Sequence, residues 1–283
     1  MKWRPGSGSD AISPTAHYTG YVWADRGLGP AELATCQGRL LHLGLRPVMS
    51  VSRAVGSGTV DEFLLARHRV IDHLLDEAIE SGQISQIIEI AAGMSPRGYR
   101  FAQRYGERIT FVEADLPAMA ARKRHALDTL DSLGPHHRVV ELDALQSRGA
   151  QSLHAIAQTL DHGQGLAVLT EGLLNYLSTD RVTDLWGRIA DVCSGFASGR
   201  YVSDLHLSGD LDSPIEHAFI AGLGVFVRGR VHLHFAQPAD AEQALRAAGF
   251  RAAVLRRPHD FAGALPEVTS RGGRAVRIID AHS

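Results

Sequence analysis

Carboxylates recur in this sequence where apolar runs end, and one arginine lies on the apolar face of a helix. Glu89 sits inside Q-I-I-E-I, Glu113 and Asp115 close R-I-T-F-V-E-A-D-L-P, Asp143 closes H-R-V-V-E-L-D-A, and Glu171 follows G-L-A-V-L-T. An acid within or just after an apolar strand is costly alone, so each needs an internal cation or a polar ligand. Nucleoside chemistry fits such a set. The acid at the end of the second strand of a βαβ unit, some twenty residues after the first strand, is where ribose hydroxyls are held. Glu113 follows Glu89 at about that offset, and Asp115 stands close behind it. Asp143 is placed either to touch an adenine edge or to cap the next helix. Glu171 lies at the carboxyl edge of its strand, where the crevice of an open α/β sheet opens.

The arginine is Arg67. Thr59-Val-Asp-Glu62 has the spacing of a capping box and starts an amphipathic helix running to about Ser81. Phe63, Val70, Ile71, Leu74 and Ala78 define its buried stripe; Arg67 falls in the middle of it and Arg69 points away. A guanidinium there needs an anion, from the protein or from a ligand. The strand and turn that follow favour a ligand anion over simple snorkelling at the edge of the stripe.

That strand and turn, Q-I-I-E-I-A-A-G-M-S-P-R-G over 86–98, read as a buried strand entering a helix through Ala91, Ala92 and Gly93, small enough for a ligand to press on the backbone. It is not a Walker loop, since Tyr99 follows Gly98, and not a dinucleotide fingerprint, since Ala91 replaces the first glycine and Ser95 and Pro96 occupy its tail. An adenosine-type ligand without pyrophosphate, carrying a carboxylate, remains. S-adenosylmethionine has that inventory. A nicotinamide-dependent oxidoreductase is the rival reading, and a protein that binds the nucleoside without catalysis is a third.

The elements needed to position these groups are those of an α/β chain. At 283 residues the length suits one large domain, expected over 11–283 behind a disordered leader at 1–10. The near balance of 29 basic and 31 acidic residues draws it to neither nucleic acid nor an anionic membrane. Cys36 and Cys193 are too few for a disulfide framework, no metal-ligand spacing stands out, and no long apolar run or signal core appears, so a cytoplasmic protein is expected. Residues 11–58 bring His17, Tyr18, Tyr21 and Trp23 together as a helix packed on the core or as a lid, with the lid preferred, and residues 31–50 read as helical with an early glycine break. Further strands are expected at 108–117, from His137 to Asp143, from Gly165, from Arg200 to Leu207, from Phe250, and from Arg274 to Asp280. An insertion over 208–236 is placed to shape a substrate pocket.

Four stretches taken in order, A-R-H-R-V-I-D-H-L-L, I-I-E-I-A-A-G-M-S-P-R-G-Y-R, F-V-E-A-D-L-P and L-T-E-G-L-L-N-Y-L, resemble the leucine carboxyl methyltransferase family, including its bacterial branch of polyketide-type O-methyltransferases. The resemblance implies a Rossmann-like seven-stranded sheet, parallel except for its last strand, with helices on both faces. It implies methyl transfer from S-adenosylmethionine to a carboxylate or hydroxyl of a small molecule, with a homodimer left open. The family's carboxylate-binding arginine falls on Arg67, its glycine-rich turn on Ala91 and Gly93, its ribose acid on Asp115, its adenine-side aspartate on Asp143, and its glutamate after the fourth strand on Glu171; Glu89, Glu113 and Ala144 complete the cofactor set. Members read G-A-G-x-D-T-R where this chain has Ala91-Ala-Gly93-Met-Ser95-Pro-Arg97. On the acceptor side the candidates are His17, Tyr18, Tyr21, Tyr176, Asp204 and His206. Asp204-x-His206 would supply a base for a hydroxyl acceptor.

Overall fold

The computed structural model describes residues 14–54, 59–210, 232–269 and 276–283, the side chains of 47–54 excepted. The expected leader, most of the 208–236 insertion and the Arg274 start of the last strand lie outside the described residues.

Seven strands form one sheet in the order β3-β2-β1-β4-β5-β7-β6. β1 (Gln86–Ile90), β2 (Thr110–Asp115), β3 (His137–Glu141), β4 (Gly165–Thr170) and β5 (Ser198–Leu205) run parallel. β7 (Arg277–His282) is antiparallel to β5 and to β6 (Ala252–Arg256). The order reverses between β1 and β4, so the carboxyl ends of those two strands part and leave a crevice.

β1 and β4 are buried along their whole length, which a strand covered by helices on both faces requires. Alternate side chains serve the two faces. Ile87, Phe111, Ala167, Leu169 and Val202 pack with α3 (Val60–Glu80), while Ile88, Val112, Leu166, Val168 and Tyr201 pack with α7 (Thr179–Ser194) and α8 (Pro238–Ala247). Each fully buried Leu, Ile or Phe contributes about 1.5–3 kcal/mol, which makes these two layers the source of the sheet's rigidity. The expected capping box forms: Thr59 Oγ1 accepts from Glu62 N–H and Glu62 Oε2 accepts from Thr59 N–H.

The remaining helices are α1 (Pro14–Asp25), α2 (Cys36–Ala54), α4 (Arg97–Tyr105), α5 (Pro117–Asp128) and α6 (Leu153–Ala157). Gly38 does not break α2; its bare Cα is where α2 crosses the backbone of His17 in α1. β3 stops at Glu141, short of Asp143, because Leu142 N–H makes the last link to Asp115 and the chain then turns away. β5 ends at Leu205, and Leu207 forms only an isolated bridge with Phe235. β6 starts at Ala252 and leaves Phe250 in the core, and β7 extends to His282.

Candidate active site

The turn after β1 is held in an unusual backbone. Ala91 has φ 55° and Gly93 φ 51°, both in the left-handed region, where an alanine is disfavoured by about 1–2 kcal/mol. The surroundings hold it there: Ala92 N–H donates to Ala114 O, Ala92 O accepts from Ser95 N–H, and the buried Lys123 ammonium donates to the same carbonyl at 3.3 Å. Gly93 N–H donates to Asp115 Oδ2 at 2.8 Å, and Leu116 N–H donates to Asp115 Oδ1 at 2.7 Å. Asp115 is thereby fixed beside the turn with a lone pair left on each oxygen, the arrangement a vicinal diol can meet. Burial raises its pKa against the lowering pull of those two N–H groups.

The two acids two residues apart on β2 separate completely in role. Glu113 lies deeper along the strand, buried under α4, bridged to Lys123 and accepting from His137 Nε2 at 2.7 Å. Its carboxylate is consumed inside the protein, which overturns the offset argument for a ribose contact. Asp143, at the next strand end, accepts from Leu145 N–H at 2.9 Å within its own loop; Ser152 caps α6 instead. Ala144 follows it, its carbonyl accepting from Arg188.

Arg67 is buried as the stripe predicts, but protein carboxylates reach it first. Its Nε donates to Glu171 Oε1 at 3.0 Å and its Nη1 to Asp204 Oδ2 at 2.8 Å, a correction to a reading in which a ligand alone supplies the anion. Nη2 is turned toward Gly172, where an added Cβ would lie 3.0 Å away, so the glycine keeps that edge of the guanidinium uncovered. Asp204 Oδ1 accepts from Gly172 N–H at 2.7 Å, so both of its oxygens are engaged in holding Arg67 and the β4 exit. It is a positioning group here, not a base. His206 is buried with its ring stacked on Phe63 at 4.9 Å, and Arg67 lies over the same ring.

Arg97, which the sequence left unassigned, is the centre of this floor. Fully buried at the start of α4, it donates to Asp72 Oδ1 at 2.7 Å, to Glu171 Oε2 at 2.6 Å and to Glu89 Oε1. Glu89 is therefore an internal partner of Arg97 as well as a neighbour of the turn. Arg100 and His68 close the cluster: Arg100 pairs with Asp72, and the fully buried His68 bonds Glu171 through Nδ1 at 3.0 Å with Trp23 stacked on its ring at 4.3 Å. Burial and the Arg97 charge lower the His68 pKa. Their partners, His68 and Arg97 foremost, hold Glu171 well below the usual carboxylate range and Asp72 at about 2 despite their burial. The signal for Arg97 was present in the sequence as an arithmetic one: more acids than cations on the strands that meet at β1.

α1 roofs the turn, with different side chains from those expected. Ala16 Cβ lies 3.4 Å from the place a Gly93 Cβ would take, and Gly20 packs on Met94. The aromatics face inward: Tyr18 donates to Asp61 at 2.8 Å, Trp23 stacks on His68, and His17 bonds Thr35 at 2.9 Å, while half-buried Tyr21 packs on His42. The packed-helix alternative thus describes His17 and Tyr18, while Ala16 and Gly20 of the same helix pack on the turn at Gly93 and Met94. Of the acceptor-side candidates Tyr176 fits best. It follows β4 in a single 3-10 turn (Leu174–Tyr176), stays 37% exposed, and its hydroxyl lies beside Thr15 within the fields of Arg67 and Asp204. Desolvation of that hydroxyl raises its pKa. The return segment docks alongside, Asn175 Nδ2 donating to His232 O and His234 Nε2 to Leu174 O. Among the described residues no group of three or more His, Cys, Asp or Glu is arranged to hold a metal ion, and no helix is long and apolar enough to cross a membrane.

Comparison with known proteins matches this geometry to a family. The leucine carboxyl methyltransferase family matches residues 41–190, more than half of the chain and the whole span from α2 through β4 into α7. This chain belongs to that family. It is a family of S-adenosylmethionine-dependent methyltransferases, and relatives bear that provisional name: one from Mycobacteroides abscessus is 32% identical over 46% of this chain and 40% of its own, and one from Mycobacterium tuberculosis is 31% identical over 55% and 47%. The chain spans about half the length of these curated relatives or somewhat less. The fold is also that of a provisionally named methyltransferase from Thermobifida fusca, TM-score 0.66 at 14% identity with 100% of this chain and 99% of that one covered. A DUF574 family protein from Streptomyces avermitilis superposes with TM-score 0.64 at 14% identity, over 95% of both. Asp115 is tied to the turn through Gly93 N–H, and Arg67 to the β4 exit through Glu171 and the neighbouring Gly172.

Proposed function

We propose that the protein is an S-adenosylmethionine-dependent O-methyltransferase acting on a carboxylate or hydroxyl of a small molecule. The observation that carries the reading is the fastening of Asp115 to Gly93 N–H beside a left-handed turn after β1, with Arg67 held by Glu171 at the exit of the neighbouring β4. The residues fit the nucleoside: Asp115 for the ribose diol, Asp143 and Ala144 for the adenine edge, the bare backbone of 91–93 for the methionyl chain, and the uncovered Nη2 of Arg67 for its carboxylate. When bound, the nucleoside supplies an electrophilic methyl on a sulfonium.

The protein's own share is alignment and exclusion of water. α1 over the turn and the Tyr176 segment over the β4 exit enclose the two reactants, and holding them in line is worth about 7–11 kcal/mol of such a barrier. A carboxylate acceptor is already ionised and needs no base. A hydroxyl acceptor needs one, and with Asp204 committed to Arg67 and Gly172, Tyr176 or His206 would have to provide it. The fixed groups favour the carboxylate.

The test is methyl transfer from methyl-labelled donor to paired acceptors that differ only in carrying a carboxylic acid or a phenol. A methyl ester, recognised by its lability in mild alkali, is the expected product. Alkali-stable label would move the assignment to hydroxyl chemistry, and absence of label on both, despite donor binding, would refute catalysis of this class.

A further inference from the structure

The floor of the crevice carries an unmatched negative charge. Arg67, Arg97 and Arg100 are the cations of the linked cluster, and Asp72, Glu89, Glu171 and Asp204 are its carboxylates. His68, within the cluster, adds no compensating charge, its pKa being lowered by burial and by Arg97. Each carboxylate oxygen of Asp72, Glu171 and Asp204 has a donor. Glu89 is different: Oε1 faces Arg97, while Oε2 is buried with no hydrogen-bond partner among the described residues. Across β2, the charges nearest Glu89 offset each other, Lys123 against Glu113, and that pair closes on itself with His137, whose Nδ1 faces Ser132 O. At the lip stand Asp115 and Asp143, the latter beside Arg188, which donates to Ala144 O at 2.9 Å.

We propose that this unmatched carboxylate at Glu89 lets the crevice tell the methyl donor from the spent product by charge. The inference rests on the S-adenosylmethionine reading above. The donor carries a carboxylate, an ammonium and a sulfonium, a net single positive charge; transfer of the methyl removes the sulfonium charge, and the thioether product is neutral overall. A buried negative charge two residues before the turn holds the cation and has no comparable hold on the product. Methyl transfer thus cancels part of the binding that brought the donor in, which loosens the product without a lid having to open.

The buried carboxyl is pushed up to about 7 by desolvation, against the lowering pull of Arg97. Discrimination is therefore present above neutral pH, when Glu89 is ionised, and fades as it gains its proton. The experiment is calorimetric titration of the full chain with S-adenosylmethionine, S-adenosylhomocysteine and sinefungin, in which a protonated amine stands where the methyl sulfonium was. In the wild type at about pH 7.5 both cations should bind about tenfold or more tighter than the neutral product. Glu89→Gln should shrink that ratio about tenfold while product affinity stays within about twofold. Should that variant not fold, the wild type decides: lowering the pH to about 5.5 should shrink the ratio in the same way. Equal weakening of all three ligands in Glu89→Gln, or a ratio that ignores pH, overturns the inference. Failure of the wild type to bind donor or product overturns the methyltransferase reading itself.

Discussion

The two halves of the crevice are built on different principles. On the β1–β2 side the polar groups, Glu89 Oε2 excepted, are fastened by the fold: Asp115 by two backbone N–H groups, Ala92 O by Lys123, and Arg97 by three carboxylates from α3, β1 and the β4 exit. On the β4–β5 side, Tyr176 stays partly exposed, and the segment beside it returns from 211–231, which lie outside the described residues. A site for a ligand that never changes can be rigid and internally cross-braced. A site for the acceptor is left to loops, which vary without disturbing the core.

The sharpest way to break this contrast is to remove a brace. Arg97→Met leaves Asp72, Glu89 and Glu171 facing an apolar side chain and should cost about 3–5 kcal/mol, read as a large fall in Tm. Tyr176→Phe, on the other side, should leave Tm and donor affinity unchanged and alter only turnover. A matching loss of stability in both would erase the distinction between the halves. Next, Arg67→Ala should weaken donor binding at least tenfold and destabilise the fold by about 3 kcal/mol, since Glu171 and Asp204 lose their partner. Arg69→Ala removes only an exposed pair with Glu267 and should stay within about 0.5 kcal/mol on thermal melting.

The pair on β2 sharpens the comparison within one strand. Asp115→Asn should raise the donor Kd about tenfold with little change in Tm, whereas Glu113→Gln should lower Tm by unpairing Lys123 and touch affinity less. Affinity losses in the opposite order would return the ribose contact to Glu113. pH acts on the floor in two senses. Asp72 and Glu171 are held below their ordinary range, so their stabilisation is full above about pH 4 and lost as the pH falls through their folded values. Glu89 is raised, so its protonated form stabilises the fold fully below about pH 4.5 and that contribution is lost as the pH rises through about 7. Melting curves should peak between these limits, and Glu89→Gln should flatten the alkaline slope. A small effect of opposite sign is expected at the turn: Ala91→Gly removes the left-handed penalty and should stabilise by about 0.5–1 kcal/mol.

The strands, the α3 cap and the placement of Arg67, Asp115, Asp143 and Glu171 were legible because periodicity and strand-end position depend on local sequence. Partnerships were not. Nothing local says that Glu113 meets Lys123 and His137, or that Arg97 gathers acids from three elements, because those pairings depend on which strands become neighbours. The lid aromatics show the same limit: a helix with rings on several faces does not declare which face is down, and here Tyr18 and Trp23 turned to the core while Ala16 and Gly20 met the turn. Boundaries slipped by a few residues wherever an end was set by a neighbouring strand, as at Glu141 and Leu205.

Calorimetric titration of the wild-type chain with S-adenosylhomocysteine, beside NAD as the competing nucleoside, tests the central claim most directly. Saturable binding of the homocysteine nucleoside at one site, weakened by Asp115→Asn and absent for NAD, is the predicted result. Tight NAD binding with none for the homocysteine nucleoside would contradict it.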